Sequence, residues 1–166
     1  MKRALTTALG IVVLSVTLAA PVAVGHSPAV VWDQVLVGTA GADTLKGGDG
    51  RDKIRGLASG DDLAGGKGAD LVKGGPGNDT IKGGGFRDKL YGGNGADILR
   101  GGPGADALYG GKGKDILKGG SGNDVLRAAG DAASDFVDCG TGTGDVAYVD
   151  ARDVVTRCER VIVVGQ

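Results

Sequence analysis

The chain has 166 residues, of which 35 are glycine and only four are proline. Collagen is excluded, because it needs far more proline and a glycine at every third position. A net charge of −1 and a hydrophobic content of 41% argue against a basic nucleic-acid binder and against a disordered chain. Of the 20 acidic residues, Glu159 is the only glutamate, so the sequence strongly favours the shorter carboxylate of aspartate.

Residues 1–25 have the three parts of a secretory signal peptide. Two basic residues precede an apolar, uncharged stretch at 4–20, and small residues follow it. Cleavage fits after Ala20, Ala23 or Gly25, and we prefer Gly25. A retained membrane anchor is the weaker alternative, because the stretch is barely long enough for the roughly 30 Å of hydrocarbon. We therefore expect the mature protein to be secreted to the outside of the cell.

A short N-terminal cap is expected at residues 26–37, directly before a repeated region. Leu36 falls on the eighth place of the nine-residue frame of that region, which predicts one additional strand. Trp32 is a large apolar side chain in the same segment. We expect it to cover the open end of the hydrophobic core, and we prefer this role to ligand binding.

Residues 38–127 consist of ten consecutive nine-residue blocks without insertion or deletion. The first position is glycine in all ten blocks, and the second and fourth positions are glycine in eight blocks each. The sixth position is always aspartate: Asp43, Asp52, Asp61, Asp70, Asp79, Asp88, Asp97, Asp106, Asp115 and Asp124. The eighth position is always aliphatic: Leu45, Ile54, Leu63, Val72, Ile81, Leu90, Leu99, Leu108, Leu117 and Leu126. Self-similarity at a fixed period indicates a repeat architecture.

Each block predicts one tight turn followed by one very short strand. Glycine costs about 1 kcal/mol per residue in a helix, whereas it enters the left-handed region freely. One block buries a single aliphatic side chain and cannot fold alone, so the blocks must stack as a solenoid. Two blocks complete an 18-residue coil, and ten blocks give about five coils. The sequence therefore predicts an all-β parallel solenoid with two sheets and a thin core.

In such a solenoid the sixth-position aspartates form two columns along the edges of the coils. Neighbours in a column lie about 4.8 Å apart, where two bare carboxylates repel by roughly 1 kcal/mol even in water. A cation between them relieves this repulsion, and carboxylate and carbonyl oxygens favour calcium over magnesium. Zinc is disfavoured, because His26 is the only histidine and there are only two cysteines. The columns therefore predict several calcium ions.

An alternative role for the aspartates is to cap turns. Aspartate often does so, but asparagine, serine and threonine also serve, and none of them occurs at the sixth position. We therefore prefer metal binding.

Basic side chains occupy the ninth position of seven blocks: Lys46, Arg55, Lys73, Lys82, Arg100, Lys118 and Arg127. We interpret them as a solvated outer face that offsets the acidic edges and discourages aggregation of the sheets. A stripe that binds phosphate or polysaccharide is the alternative.

The pattern G-G-x-G-x-D-x-U-x, with U aliphatic, resembles the calcium-binding repeat of the hemolysin-type, or repeats-in-toxin (RTX), family. The resemblance covers 90 of the 166 residues. It implies a right-handed parallel β-roll in which the sixth-position aspartates and turn carbonyls hold calcium between coils, with at most eight internal sites. Two blocks depart from the turn pattern at Leu57, Ser59 and Phe86, so the sites at Asp61 and Asp88 are the least regular.

Residues 128–166 are predicted to form a C-terminal capping region. Cys139 and Cys158 are an isolated pair in a chain that we expect to be exported, which predicts a disulfide worth roughly 3 kcal/mol. Val161 to Val164 reads as a final strand. The region resembles the C-terminal cap of secreted actinobacterial proteins that carry these repeats.

No catalytic constellation is visible in the sequence. The H-E-x-x-H, G-x-S-x-G and P-loop patterns do not occur, and a single histidine limits acid–base chemistry. We expect no enzymatic activity, no nucleic-acid partner, no membrane insertion of the mature chain and a monomer. The leading hypothesis is a secreted calcium-binding β-roll whose folding is coupled to the metal. The alternatives are a cell-surface structural or adhesion module, with envelope polysaccharide as its partner, and a toxin or enzyme accessory protein.

Overall fold

The structure, a computed structural model, describes residues 32–131 and 133–165. The predicted signal peptide at 1–25 and His26 lie outside the described residues. The described part contains 15 strands and no helix. Accordingly, no segment of this part forms a helix that could span a membrane.

The strands follow one another at nearly regular intervals. One strand, β1 (Gln34–Val37), precedes the repeat. Ten strands arise from the repeat: β2 (Thr44–Asp49), β3 (Asp52–Arg55), β4 (Asp62–Lys67), β5 (Leu71–Pro76), β6 (Thr80–Gly85), β7 (Lys89–Asn94), β8 (Ile98–Pro103), β9 (Ala107–Lys112), β10 (Ile116–Ser121) and β11 (Val125–Arg127). Four strands follow the repeat: β12 (Phe136–Thr141), β13 (Val146–Val149), β14 (Val154–Thr156) and β15 (Arg160–Val163).

The chain visits two parallel sheets alternately. The eight-stranded sheet has the order β1-β3-β5-β7-β9-β11-β13-β15, and the seven-stranded sheet has the order β14-β12-β10-β8-β6-β4-β2. Strands pair in register one coil apart, so that Leu45 lies opposite Leu63, 18 residues later. This is the predicted parallel β-roll. It has about seven coils instead of five, because β1 and β12–β15 extend both sheets beyond the repeat.

The eighth-position side chains form the core between the two sheets. All ten are at most 4% exposed, and Leu36 joins them at 5%. Leu36 pairs with Ile54, so the predicted additional strand before the repeat is confirmed. Val137 and Ala147 continue the same core into the C-terminal coils. Burial of one such Leu or Ile side chain contributes about 1.5–3 kcal/mol, so every coil adds to one continuous core.

The strands are longer than the sequence predicts. Most of them have six residues and include the first two glycines of the following block, as β6 does. Each of these six-residue strands has two or more inward positions, which in β6 are Ile81 and Gly83. The first glycine of each block lies inside the solenoid and not in the turn, and this leaves room for the sixth-position aspartate of the same block.

Most of the turns have positive φ at the second and fourth positions. Gly66 has a φ of +120°, and a Cβ on it would overlap the carbonyl oxygen of Gly48 one coil earlier. Leu57, Ser59 and Phe86 adopt φ values of 93°, 71° and 75°. The two irregular blocks therefore keep the turn backbone of the others despite their side chains.

The two ends of the solenoid differ from each other. The predicted disulfide between Cys139 and Cys158 is present, with the two Cα atoms 5.1 Å apart. Cys139 is fully buried and replaces a first-position glycine, so the bridge closes the core at the C-terminal end.

The prediction that Trp32 covers the open N-terminal end of the core is wrong. Trp32 is half-buried, lies outside the core cluster and faces the guanidinium of Arg51, 5.5 Å from its ring centre.

Candidate metal centre

All ten sixth-position aspartates lie where a turn enters a strand, and each is at most 7% exposed. The turn brings the side chain inward because the first residue of the same block is glycine. A Cβ on Gly65, for example, would overlap Oδ2 of Asp70 and approach the carbonyl oxygen of Gly83. Glycine at this position therefore makes the space that the carboxylate occupies.

Hydrogen bonds link these aspartates into two columns. The backbone N–H of each one donates to Oδ1 of the aspartate one coil further on, as Asp61 does to Asp79 at 2.8 Å. The first column contains Asp43, Asp61, Asp79, Asp97, Asp115, Asp135 and Asp153. The second column contains Asp52, Asp70, Asp88, Asp106, Asp124, Asp145 and Glu159. The carboxylates therefore run along both edges of the solenoid.

Both columns continue beyond the repeat, which the nine-residue frame does not predict. Asp135 follows Asp115 by 20 residues and Asp145 follows Asp124 by 21, so insertions in the turns interrupt the frame. The sequence does contain a signal for these additional column members. An acidic residue stands two places before an apolar strand residue four times in this region: at Asp135 and Val137, Asp145 and Ala147, Asp153 and Val155, and Glu159 and Val161.

The second carboxylate oxygen has no partner along most of each column. Oδ2 is buried and accepts no hydrogen bond in these residues: Asp52, Asp61, Asp70, Asp79, Asp88, Asp97, Asp106, Asp115, Asp124, Asp135 and Asp145. A buried polar atom without a hydrogen bond costs several kcal/mol, and a buried charge costs more. Repetition of this cost in every coil calls for a compensating group.

The first column begins with a cap and ends with a satisfied carboxylate. Thr39 donates its backbone N–H to Oδ2 of Asp43 at 2.6 Å, and its hydroxyl lies 3.1 Å from the same oxygen. This explains why threonine replaces glycine at the second position of the first block. At the other end, Asp153 accepts hydrogen bonds from the N–H groups of Asp135 and Asp150. The terminal members therefore differ chemically from the internal ones.

Backbone carbonyl oxygens add to the oxygen atoms between coils. The carbonyl oxygen of the fourth residue of a block lies against the fourth residue one coil later, as that of Gly50 does against Gly68. These fourth-position oxygens accept no hydrogen bond within the described ranges. In the same ranges, no three side chains of His, Cys, Asp or Glu converge on one point. A cation here would therefore need carboxylates and carbonyls together, the oxygen donor set that suits calcium.

Burial strongly raises the pKa values of several aspartates in the columns. Desolvation raises the pKa of Asp88 to about 7, and repulsion by its neighbours Asp106 and Asp70 adds to the rise, while the N–H of Asp70 opposes it. Desolvation also raises the pKa of Asp135 to about 7. Burial also raises the pKa to about 6 in Asp97, Asp106, Asp115 and Asp124. Near neutral pH, protons and cations would therefore compete for these oxygens.

The structure gives Asp61 and Asp88 the same surroundings as the other column members. Both are at most 3% exposed, and both have a buried Oδ2 without a hydrogen bond. The lower regularity of their blocks lies in the turn side chains and not in the carboxylates. Metal binding by the ten aspartates, including these two, stays a prediction.

The raised pKa values predict how the metal-free fold responds to pH. The folded state binds more protons than the unfolded state between about pH 4 and pH 7, so its stability falls as the pH rises through this window. In a chelator, we expect more β-structure at pH 5 than at pH 7.5 by circular dichroism.

Calcium in excess serves as the control for this measurement, because it should restore the β-spectrum at pH 7.5. A chelated protein that is most structured at pH 7.5 would contradict the expected proton binding by the columns.

Comparison with known proteins identifies the repeat. The sequence model of the RTX calcium-binding nonapeptide repeat (4 copies) matches the chain in six overlapping segments: 33–61, 56–90, 73–108, 91–126, 100–134 and 109–145. Together these segments run from residue 33 to residue 145, which is more than half of the chain. They include Asp135 and Asp145, the two column members beyond the regular blocks. A search of the curated proteins finds no match.

Proposed function

Because the chain belongs to the family of RTX calcium-binding nonapeptide repeat proteins, we propose that it is a secreted protein whose β-roll folds when calcium binds. Calcium binding follows from the family. The observation that supports coupled folding is the row of buried carboxylate oxygens that no protein group satisfies. Calcium in the columns would supply the positive charge that these oxygens lack.

Repulsion within the columns is large compared with the stability of a folded domain. Two charges 4.8 Å apart repel by about 3 kcal/mol at an effective dielectric of 20. Several such pairs in each column together approach or exceed the roughly 5–15 kcal/mol that holds a typical domain folded. Protons or cations must therefore neutralise the columns before the roll is stable. The free energy of calcium binding then becomes free energy of folding.

The internal aspartates would hold the ions together with turn carbonyls. Asp135 and Asp145 resemble the repeat members, since each has a buried Oδ2 without a partner. Including them gives each column six aspartates, from Asp43 to Asp135 and from Asp52 to Asp145, and therefore five gaps between neighbours. The upper limit rises from eight sites to ten (two columns of five gaps). We expect affinities of about 0.1–1 mM, as in other extracellular calcium modules.

Replacement of one internal aspartate tests this function. Asp97→Asn removes a charge beside two gaps, so we expect calorimetry to count one or two fewer calcium ions. The calcium concentration at which the β-spectrum forms should rise by about threefold or more.

The matched control is Asp62→Asn, because Asp62 is exposed and pairs with Lys82 at 3.8 Å outside the columns. It should leave both the number of ions and the folding midpoint unchanged. The proposal fails if the unmodified protein has the same β-rich spectrum in calcium and in chelator, or if both variants behave alike.

Export is the second part of the proposal. It is supported by the signal-like residues 1–25 and by the bridge between Cys139 and Cys158, since disulfides persist mainly outside the cytoplasm. A structural or binding role without catalysis fits the family, whose repeats typically serve such roles.

Mass spectrometry of protein expressed in a secreting bacterial host tests the export. We expect the protein in the medium to begin at His26. A protein that stays in the cytoplasm with Met1 and an intact signal region would contradict export, whatever its calcium affinity.

A further inference from the structure

One line of side chains crosses the outer surface of the eight-stranded sheet. Its members occupy the same outward position on six neighbouring strands, from β3 to β13, and lie opposite one another in the strand register. We call this line the tyrosine–cation ladder: Arg55, Lys73, Tyr91, Tyr109, Arg127 and Tyr148. Its members have no part in the aspartate columns.

The rings and cations of the ladder stack on one another. The Tyr91 and Tyr109 rings are 4.6 Å apart and nearly parallel, with an angle of 6° between them. Nζ of Lys73 lies 5.1 Å from the centre of the Tyr91 ring, and the guanidinium of Arg127 lies 4.0 Å from the centre of the Tyr148 ring. Neighbours therefore cover both faces of Tyr91, and the inner rings offer a ligand their edges and hydroxyl groups.

The outward positions of this sheet carry unbalanced positive charge. Six cations and no acidic residue occupy them: Lys53, Arg55, Lys73, Lys89, Arg127 and Arg160. In the part of the chain that the structure describes, none of the six lies within 4.0 Å of a carboxylate. The outward positions of the seven-stranded sheet differ, because they carry Asp62 and Asp138 beside four cations, and both aspartates are in ion pairs. The positive face is thus specific to one sheet.

We propose that the outer face of the eight-stranded sheet binds an acidic polysaccharide through carboxylates and hydroxyl groups of the sugar chain. Lys73 and Arg127 are three strand spacings apart, about 14 Å, with two tyrosines between them. Arginine and lysine pair with carboxylates, and tyrosine hydroxyls both donate and accept hydrogen bonds. This alternation suits a polymer whose charges are separated by hydroxyl-rich sugar rings.

A nucleic acid fits the face less well. Double-stranded DNA carries about one charge per 1.7 Å of its axis, which is much denser than the cations of the ladder. Single strands bind by stacking bases on open aromatic faces, and neighbours cover the faces of Tyr91 and Tyr109. The proposal goes beyond calcium binding, since it needs the folded roll but no metal on this face.

Binding to immobilised hyaluronan, which has a carboxylate on every second sugar, tests the proposal with calcium in excess. The protein should be retained at low salt, released at high salt and not retained by neutral dextran. The double variant Lys73→Gln/Arg127→Gln should bind about tenfold more weakly, because it loses two charged contacts. Tyr109→Phe keeps the stack but loses a hydroxyl, and should bind about threefold more weakly.

The matched control is Arg100→Gln/Lys118→Gln, which removes the same charge from the same repeat position on the seven-stranded sheet. It should bind hyaluronan as the unmodified protein does. Circular dichroism of each sample shows whether the protein is folded. If the unmodified protein is β-rich but hyaluronan does not retain it, the proposed binding by the ladder is wrong, while the proposed calcium sites are unaffected. Equal weakening by both double variants, or tighter binding to double-stranded DNA than to hyaluronan, would also overturn the proposal.

Discussion

The structure depends on one contact that repeats along both edges: a backbone N–H that donates to the aspartate carboxylate of the next coil. In the step from Asp79 to Asp97, this bond is 2.8 Å long and uses Oδ1 only. Oδ2 of the same carboxylate is buried without a partner. The contact therefore joins the coils and, at the same time, places a charge where the protein alone cannot stabilise it. In the function that we propose, calcium completes the contact.

Glycine and aspartate are two parts of this one feature. The first-position glycine, such as Gly83, lies inside the solenoid, because a Cβ there would overlap the carboxylate of Asp88. Most of the second- and fourth-position glycines adopt positive φ, which lets the turn carbonyls approach the next coil. Loss of the glycines would remove the space for the carboxylates, and loss of the aspartates would remove the charge. The columns therefore need both residue types.

Much of the fold could be predicted from the sequence because the period is unbroken. The two sheets, the row of core side chains and the strand at Leu36 follow from residue spacing, and the disulfide follows from the isolated pair of cysteines. The six-residue length of the strands could not be predicted in this way. A pair of glycines in a sequence indicates a turn, and it becomes part of a strand here because an identical pair one coil away forms hydrogen bonds with it. The columns at Asp135 and Asp145 were missed because insertions shift the frame. Tyr91 and Tyr109 are 18 residues apart, one coil of the predicted solenoid, so the repeat predicts that they are neighbours, while the stacked geometry of their rings needs the structure.

The central claim is that cations occupy the gaps between coils. The most direct measurement is the anomalous X-ray signal of calcium in crystals of the calcium-loaded protein. We predict two rows of peaks beside the aspartate columns, with neighbouring peaks in a row one strand spacing apart, about 4.8 Å. Gaps without peaks in excess calcium, with the Oδ2 atoms satisfied by protein groups alone, would contradict this claim.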